Sequence, residues 1–307
     1  MPGAIAVALL PIVILIGLGY AMRARAFVPD TFWPQAERLS YFVLLPALFA
    51  HSLATADLAS VPVIELAGVL VLSTLVVAVL LVIASRRLNF EPAAFTSVFQ
   101  GGIRFNNYVG FTAAVALYGA PAVGLAAVAN AAIVPTVNIL VILVFARFGT
   151  ARPTFLGVLR GIALNPLIVG CAIGIALQVS GLGLPPGVDG AVRALGQASL
   201  PLGLLCVGAA LDIRYFGQGL RPALIASAAK FVLMPVCAAV ACLALGLDGL
   251  AAAVAILFQA LPTASSSYVM ARQLGGDAPL MATIIAFQTI VAIVTLPVAI
   301  LLSQAFL

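Results

Sequence analysis

Two short stretches place polar side chains inside otherwise apolar sequence. The first, FQGGIRFNNYVG at 99–110, carries Gln100, Arg104, Asn106 and Asn107. The second, FQALPTASSSYV at 258–269, carries Gln259, Pro262, Thr263, Ser265, Ser266 and Ser267. A guanidinium with amides and hydroxyls around it is a donor set for a carboxylate or other small anion. Both stretches also disfavour a continuous helix: Pro262 removes one backbone N–H and frees a carbonyl, while the first stretch has the Gly101–Gly102 pair and two asparagines. Each segment after a break then starts with unsatisfied N–H groups and the positive end of a helix dipole, a ready anion site. Lys230, in ASAAKFVLMP, adds a second deep positive charge. Arg104 and Lys230 can instead snorkel to an interface, and the asparagines can instead join helices. Gln100, Asn130, Gln259 and Gln288 either line the site, where the first three with freed carbonyls suit a sodium ion, or bridge helices.

Other chemistries find little support. The chain has one histidine, His51, and no GxSxG, so a serine nucleophile has no base beside it. Asp277 follows LGG in a connection, with no second aspartate at depth for an aspartyl protease. Cys171, Cys206, Cys237 and Cys242 form no CxxC pair, so neither a metal site nor a disulfide framework is expected, and no cofactor. The net charge of +5 is spread between apolar segments with no basic run, which excludes nucleic acid as the partner.

The elements that must hold these residues are membrane helices. Of 307 residues 64% are hydrophobic and 7% charged, where soluble domains have about 25% charged residues. A span needs about 20 apolar residues. Ten fit: 3–22, 36–54, 62–84, 95–118, 121–145, 160–180, 190–211, 221–246, 249–271 and 279–304. The first lacks a basic segment before it and reads as a retained helix rather than a signal peptide. Arg104 lies roughly 13 Å into span 4 if helical, where a charge costs about 2.5–3.5 kcal/mol or more. Arg23, Arg25, Arg38, Arg86, Arg87, Arg147, Arg152, Arg160, Arg214, Arg221 and Arg272 sit at odd-numbered connections, against Arg193 at the even ones. Odd connections are therefore expected in the cytoplasm, and both termini outside. Glu65, one turn into span 3, reads as an interfacial anchor.

The halves echo each other. Pro11, Arg38, Pro46 and Asp57 return as Pro166, Arg193, Pro201 and Asp212, and Phe99–Gln100 as Phe258–Gln259. NYV at 107–109 returns as SYV at 267–269, Ala120–Pro121 as Ala278–Pro279, and Asn130 matches Gln288. The expected architecture is an all-α membrane protein of ten spans in two five-span repeats, 1–150 and 151–307. An odd number of spans per repeat inverts the second copy, as in many secondary transporters, where paired interruptions mark the transport site. Such a protein would move small organic anions by alternating access; an anion channel, or a non-transporting protein on the same scaffold, is the competing reading.

RFNNYVGFTAAVALYG, ANAAIVPTVNILVI, KFVLMP and ALPTASSSYVMARQLGGD together resemble the auxin efflux carrier family, in its bacterial branch, over nearly the whole chain. The resemblance implies broken helices 4 and 9 that cross, and scaffold and transport domains each drawn from both repeats, as in bile-acid symporters and sodium/proton antiporters. It implies organic anion substrates, mono- or dicarboxylates, in a plasma or inner membrane, and it allows a homodimer. Asn107 resembles the asparagine at the first break of that family and Pro262 the proline at the second. The proline that plant members carry in span 4 is missing between Pro92 and Pro121, so the first break is expected to rest on Gly101–Gly102 and the asparagines. The long cytoplasmic loop of the plant carriers is absent too. An inside-negative potential drives anions outward by about 2.3 kcal/mol per charge per 100 mV, so uptake would need a coupled proton or sodium. The broken spans hold no Asp or Glu for that purpose.

Overall fold

The computed structural model describes residues 2–56, 61–149, 160, 163–211 and 219–306. Among these there is no strand. The helices are α1 (Pro2–Ala24), α2 (Phe32–Leu39), α3 (Leu45–Thr55), α4 (Val63–Leu88), α5 (Pro92–Ile103), α6 (Asn107–Tyr118) and α7 (Pro121–Phe148). They continue as α8 (Pro166–Ser180), α9 (Val188–Ala209), α10 (Leu220–Ala228), α11 (Met234–Leu245), α12 (Gly249–Gln259), α13 (Ser266–Leu274) and α14 (Ala278–Ser303). Six stretches are long and apolar enough to cross a membrane: Gly3–Ala24, α4, α7, α9, Leu220–Leu245 and α14. Their outer faces expose Val7, Ile14, Ile64, Val79, Leu243, Val294 and Leu302. So continuous an apolar exterior suits lipid and not water.

Two π-helical segments, Ser40–Leu44 and Ala229–Leu233, join α2 to α3 and α10 to α11. Each ends just before an X-Pro pair, Leu45–Pro46 and Met234–Pro235. A proline cannot donate to the ladder and crowds the carbonyl four residues back. The helix widens instead, and the N–H groups of Leu45 and Met234 reach the carbonyls of Ser40 and Ala229. Such bulges recur at functional sites, and here they carry Tyr41 and Lys230.

The helices pack in two groups. In one, α1 lies along α9, and α3 lies against both α8 and α9. Glycines permit the approach: Gly19 and Gly208 lie against the backbones of Leu205 and Ile16, and Gly170 and Gly174 against those of Pro46 and Ala50. Without a hydrophobic drive inside lipid, helices associate through such close packing of small residues. In the other group α4 contacts α7 and α11, and α5 contacts α7, α10 and α14. α12 contacts α11 and α14. α6 touches both groups, with Gly203 of α9 making room for the Tyr108 ring.

Several expectations are refined. In the sixth span, expected from residue 160, residues 160 and 163 are helical, and α8 starts at Pro166, where the Asn165 side chain accepts from the Leu167 N–H at 2.9 Å. Gly101 and Gly102 do not unwind the chain: they lie inside α5, where a Cβ would meet Ile284 or Leu81 at 2.6 Å. They are packing glycines, and the break follows them. Asp57, Asp212, Arg152, Arg214 and the boundary between halves at 150–151 lie outside the described residues.

Candidate functional site

The site is built on two interruptions. α5 stops at Ile103, Arg104 takes an extended conformation, and α6 starts at Asn107. Asn106 causes the restart: its side-chain oxygen accepts from the N–H groups of Tyr108 and Val109 at 3.1 and 3.2 Å. That is an N-cap, one of the roles asparagine fills best. The second interruption separates Gln259, the end of α12, from Ser266, the start of α13, with Pro262 inside it. The breaks touch, for the Asn106 N–H donates to the Pro262 carbonyl at 2.8 Å.

Gln288, on α14, holds the pair together. Its Nε2 donates to the Gly101 carbonyl at 2.9 Å, and its Oε1 accepts from the Thr263 N–H at 3.0 Å. Both backbone groups stand where a helix has run out of partners of its own. One fully buried amide thus satisfies a carbonyl of the first break and an N–H of the second.

Arg104 reaches from the first break towards the second. Its NH1 donates to Asn138 Oδ1 at 3.2 Å and contacts Met270 Sδ at 3.1 Å; its NH2 donates to Ser266 Oγ at 3.1 Å. All three partners are neutral. Beside it lies a cavity of about 550 Å³, lined by Glu37, Tyr41, Arg104, Asn106, Asn107, Asn138, Asn165, Ser265 and Ser266 among others. That volume lies within the usual range for a small-molecule site. Its lining includes Pro34, Glu37 and Arg38 at the start of the second span, and Ile142 and Gln273 near the C-terminal ends of α7 and α13. On the opposite side, about 750 Å³ of open space is lined by Ser52, Thr55, Pro121 and Asp248.

The sequence-selected residues divide cleanly. Arg104, Asn106, Asn107, Ser265 and Ser266 come together around the cavity. Asn106 has its side-chain oxygen engaged as a cap, whereas the Asn107 side-chain oxygen has no hydrogen-bond partner. Pro262 faces elsewhere, onto an apolar cavity of about 270 Å³ with Leu9, Val109 and Leu296. Ser267 is buried and lies 3.4 Å from the Thr263 hydroxyl. Lys230 is fully buried, its Nζ without a hydrogen-bond partner, and lines none of these cavities. It does not snorkel. Gln259 ties α12 to α4 through the Leu70 carbonyl, Ser73 and Thr74. Asn130 donates to the Ala126 carbonyl of its own helix at 2.8 Å, while its oxygen and both polar atoms of Gln100 are buried and unpaired. Glu65 is exposed near the start of α4, and His51 pairs with Asp189 at 3.2 Å.

Sequence reasoning misses Glu37. Its Oε1 accepts from Ser265 Oγ at 2.7 Å, on the cavity wall. In sequence it stands at the start of span 2 beside Arg38 and looks interfacial; the signal that could find it is an acid just inside an apolar span. Asn138 is missed too, although it lies in the ANAAIVPTVNILVI stretch.

The sequence is similar to known proteins. A family described as "Membrane transport protein" matches residues 4–300. The chain is 29% identical over 116 residues to a protein of Methanothermobacter thermautotrophicus described as an uncharacterized transporter. That alignment spans 38% of this chain and 38% of the relative.

Proposed function

Because this chain belongs to the membrane transport protein family, that of the auxin efflux carriers, and is a membrane transporter, we propose that it is a secondary carrier of small organic carboxylates. The observation that carries this reading is Arg104. Its guanidinium lies on the wall of the cavity, held by three neutral groups, and no carboxylate stands within ion-pair distance of it among the described residues. A charge withdrawn from water without a counter-charge is costly, and an anionic ligand would relieve that cost. The Asn107 amide stands beside it with a free oxygen; an amide has a donor end and an acceptor end, so it can meet a carboxylate or a hydroxyl. Ser265 and Ser266 complete the polar wall.

The carrier has ten spans, α5–α6 and α12–α13 each counting as one, in two inverted repeats. The group built on α1, α3, α8 and α9 is the scaffold, and the group holding both breaks moves against it to alternate access. Both termini lie outside the plasma membrane, and the cavity opens to the cytoplasm. The arginine asymmetry supports this orientation.

Reconstitution in liposomes tests the reading, with uptake of labelled malonate, malate and indole-acetate compared between wild type and Arg104→Met. Charge-assisted hydrogen bonds contribute about 1.5–3 kcal/mol, so the variant should lose about tenfold or more in apparent affinity. Saturable wild-type flux of one acid that depends on Arg104 is the expected result. Non-saturating currents would mark a channel, and no flux of any acid from inserted protein would overturn the reading.

A further inference from the structure

We propose that Glu37 is the proton-binding group of the transport cycle, so that the anion crosses together with a proton. The inference rests on the carboxylate-carrier reading and names its coupling ion. The interrupted spans contain no acid of their own, and the structure supplies one from the neighbouring span.

Glu37 and Arg104 are held by adjacent residues. Ser265 donates to Glu37 Oε1 at 2.7 Å, while Ser266 accepts from Arg104 NH2 at 3.1 Å. Acid and base thus stand on the wall of one cavity without forming an ion pair. The charges of these two groups sum to zero while Glu37 is ionised; Arg38, the other charge of the lining, is exposed and screened by water. A substrate carboxylate entering then would leave the site one negative charge in excess, and in a medium of low dielectric that excess is expensive. If Glu37 takes up a proton from water, the sum returns to zero with the anion bound against Arg104. Proton and anion therefore favour each other, and the linkage is reciprocal.

The surrounding groups leave Glu37 this role. Tyr41 and Arg38, from its own span, line the same cavity, and Arg38 is exposed at its edge. Tyr108 of α6 and Cys206 of α9 lie within its electrostatic reach. The residues that α13 turns to the cavity, Ser266, Val269, Met270 and Gln273, do not titrate. Arg23 is engaged with the Ala209 carbonyl and Asp30. Glu37 is the carboxylate in the cavity lining. Its bond to Ser265 also ties α2, which packs against α9, to the second break. Protonation removes the charge from that bond and weakens it, which loosens the contact between the two groups when the site is loaded.

The test uses the full chain in liposomes containing a pH-sensitive dye, with labelled malonate, malate and indole-acetate as probes. For whichever acid the wild type carries, an inward proton gradient should drive accumulation, and anion entry should acidify the lumen. In Glu37→Gln, isosteric and permanently neutral, anion flux should no longer respond to pH and accumulation should be lost. Glu37→Asp, which restores a titratable carboxylate, should regain part of the accumulation that Glu37→Gln loses. A second measurement needs no variant. With one proton bound per anion, the wild-type apparent dissociation constant should rise up to tenfold per pH unit above the transition, where the substrate itself does not titrate. If no acid moves, the carrier reading falls and the coupling with it. If an acid moves but its affinity ignores pH, or Glu37→Gln still accumulates it, Glu37 is not the coupling group and the carrier reading stands.

Discussion

The two interruptions meet at one point but satisfy their polar groups in different ways. Around the second, nearly every polar side chain is engaged: Gln259 with α4, Gln288 with both breaks, Ser265 with Glu37, Ser266 with Arg104. Around the first, Gln100, the Asn130 oxygen, the Asn107 oxygen and Arg104 Nε have no partner. Gln100 and Gln259, like Asn130 and Gln288, occupy matching places in the sequence pattern, so the contrast is not one of composition. Buried polar groups left unpaired in a native protein call for an explanation. The second break reads as the fixed frame, and the first as the side with binding capacity in reserve.

The sharpest way to break this contrast is to remove the clamp. Gln288→Leu strands the Thr263 N–H and the Gly101 carbonyl in a buried place. Each orphaned group costs about 1–3 kcal/mol, so the loss is about 2–6 kcal/mol. Thermal unfolding in detergent should show a larger fall than substitution of Asn106, Gln259 or Gln100 produces. A variant as stable as wild type would mean that the breaks are held by something other than Gln288.

Much of the fold is legible in the sequence because lipid leaves few choices. Long apolar runs must become helices when every backbone group has to be bonded internally, and the interruptions announce themselves through Pro262 and the Asn106–Asn107 pair. The cause of the first break is less legible. Gly101 and Gly102 carry the low helix propensity, yet they sit in α5 because Ile284 and Leu81 need the space; the side-chain cap of Asn106 decides where the helix restarts. Glu37 cannot be located from its own surroundings, since what makes it part of the cavity is Ser265, more than two hundred residues away. Lys230 reads in sequence as a second anion contact, but the spacing of a single span does not say which way a side chain turns, and it lines a different part of the core.

A smaller effect compares the two helix restarts. Asn106 caps α6 with its side chain, whereas Ser265 makes no cap bond to α13. Asn106→Ala should therefore cost about 1 kcal/mol, and Asn106→Asp should recover most of it, both read from thermal unfolding. In a Glu37→Leu background, where the Ser265–Glu37 contact is already gone, Ser265→Ala should leave stability nearly unchanged, since it costs α13 no cap. Equal losses at the two positions would remove the asymmetry between the breaks.

The smallest effect is the most telling for the unpaired side. Gln259→Met removes three contacts to α4, including one to the Leu70 carbonyl, and should lower the unfolding temperature measurably. Gln100→Met removes an amide that bonds nothing in this state, at a site with 0% exposure. Replacing an unsatisfied buried polar group with an apolar one of similar shape is nearly neutral or stabilising, so its unfolding temperature should hold or rise. Transport should be measured on the same protein. If stability is kept and transport is kept, Gln100 is a spectator and the reserve of binding capacity is confined to Arg104, Asn107 and the Asn130 oxygen. If stability is kept while transport fails, its amide finds a partner in another step of the cycle, and the first break then supplies polar groups to the cycle from beyond the cavity wall.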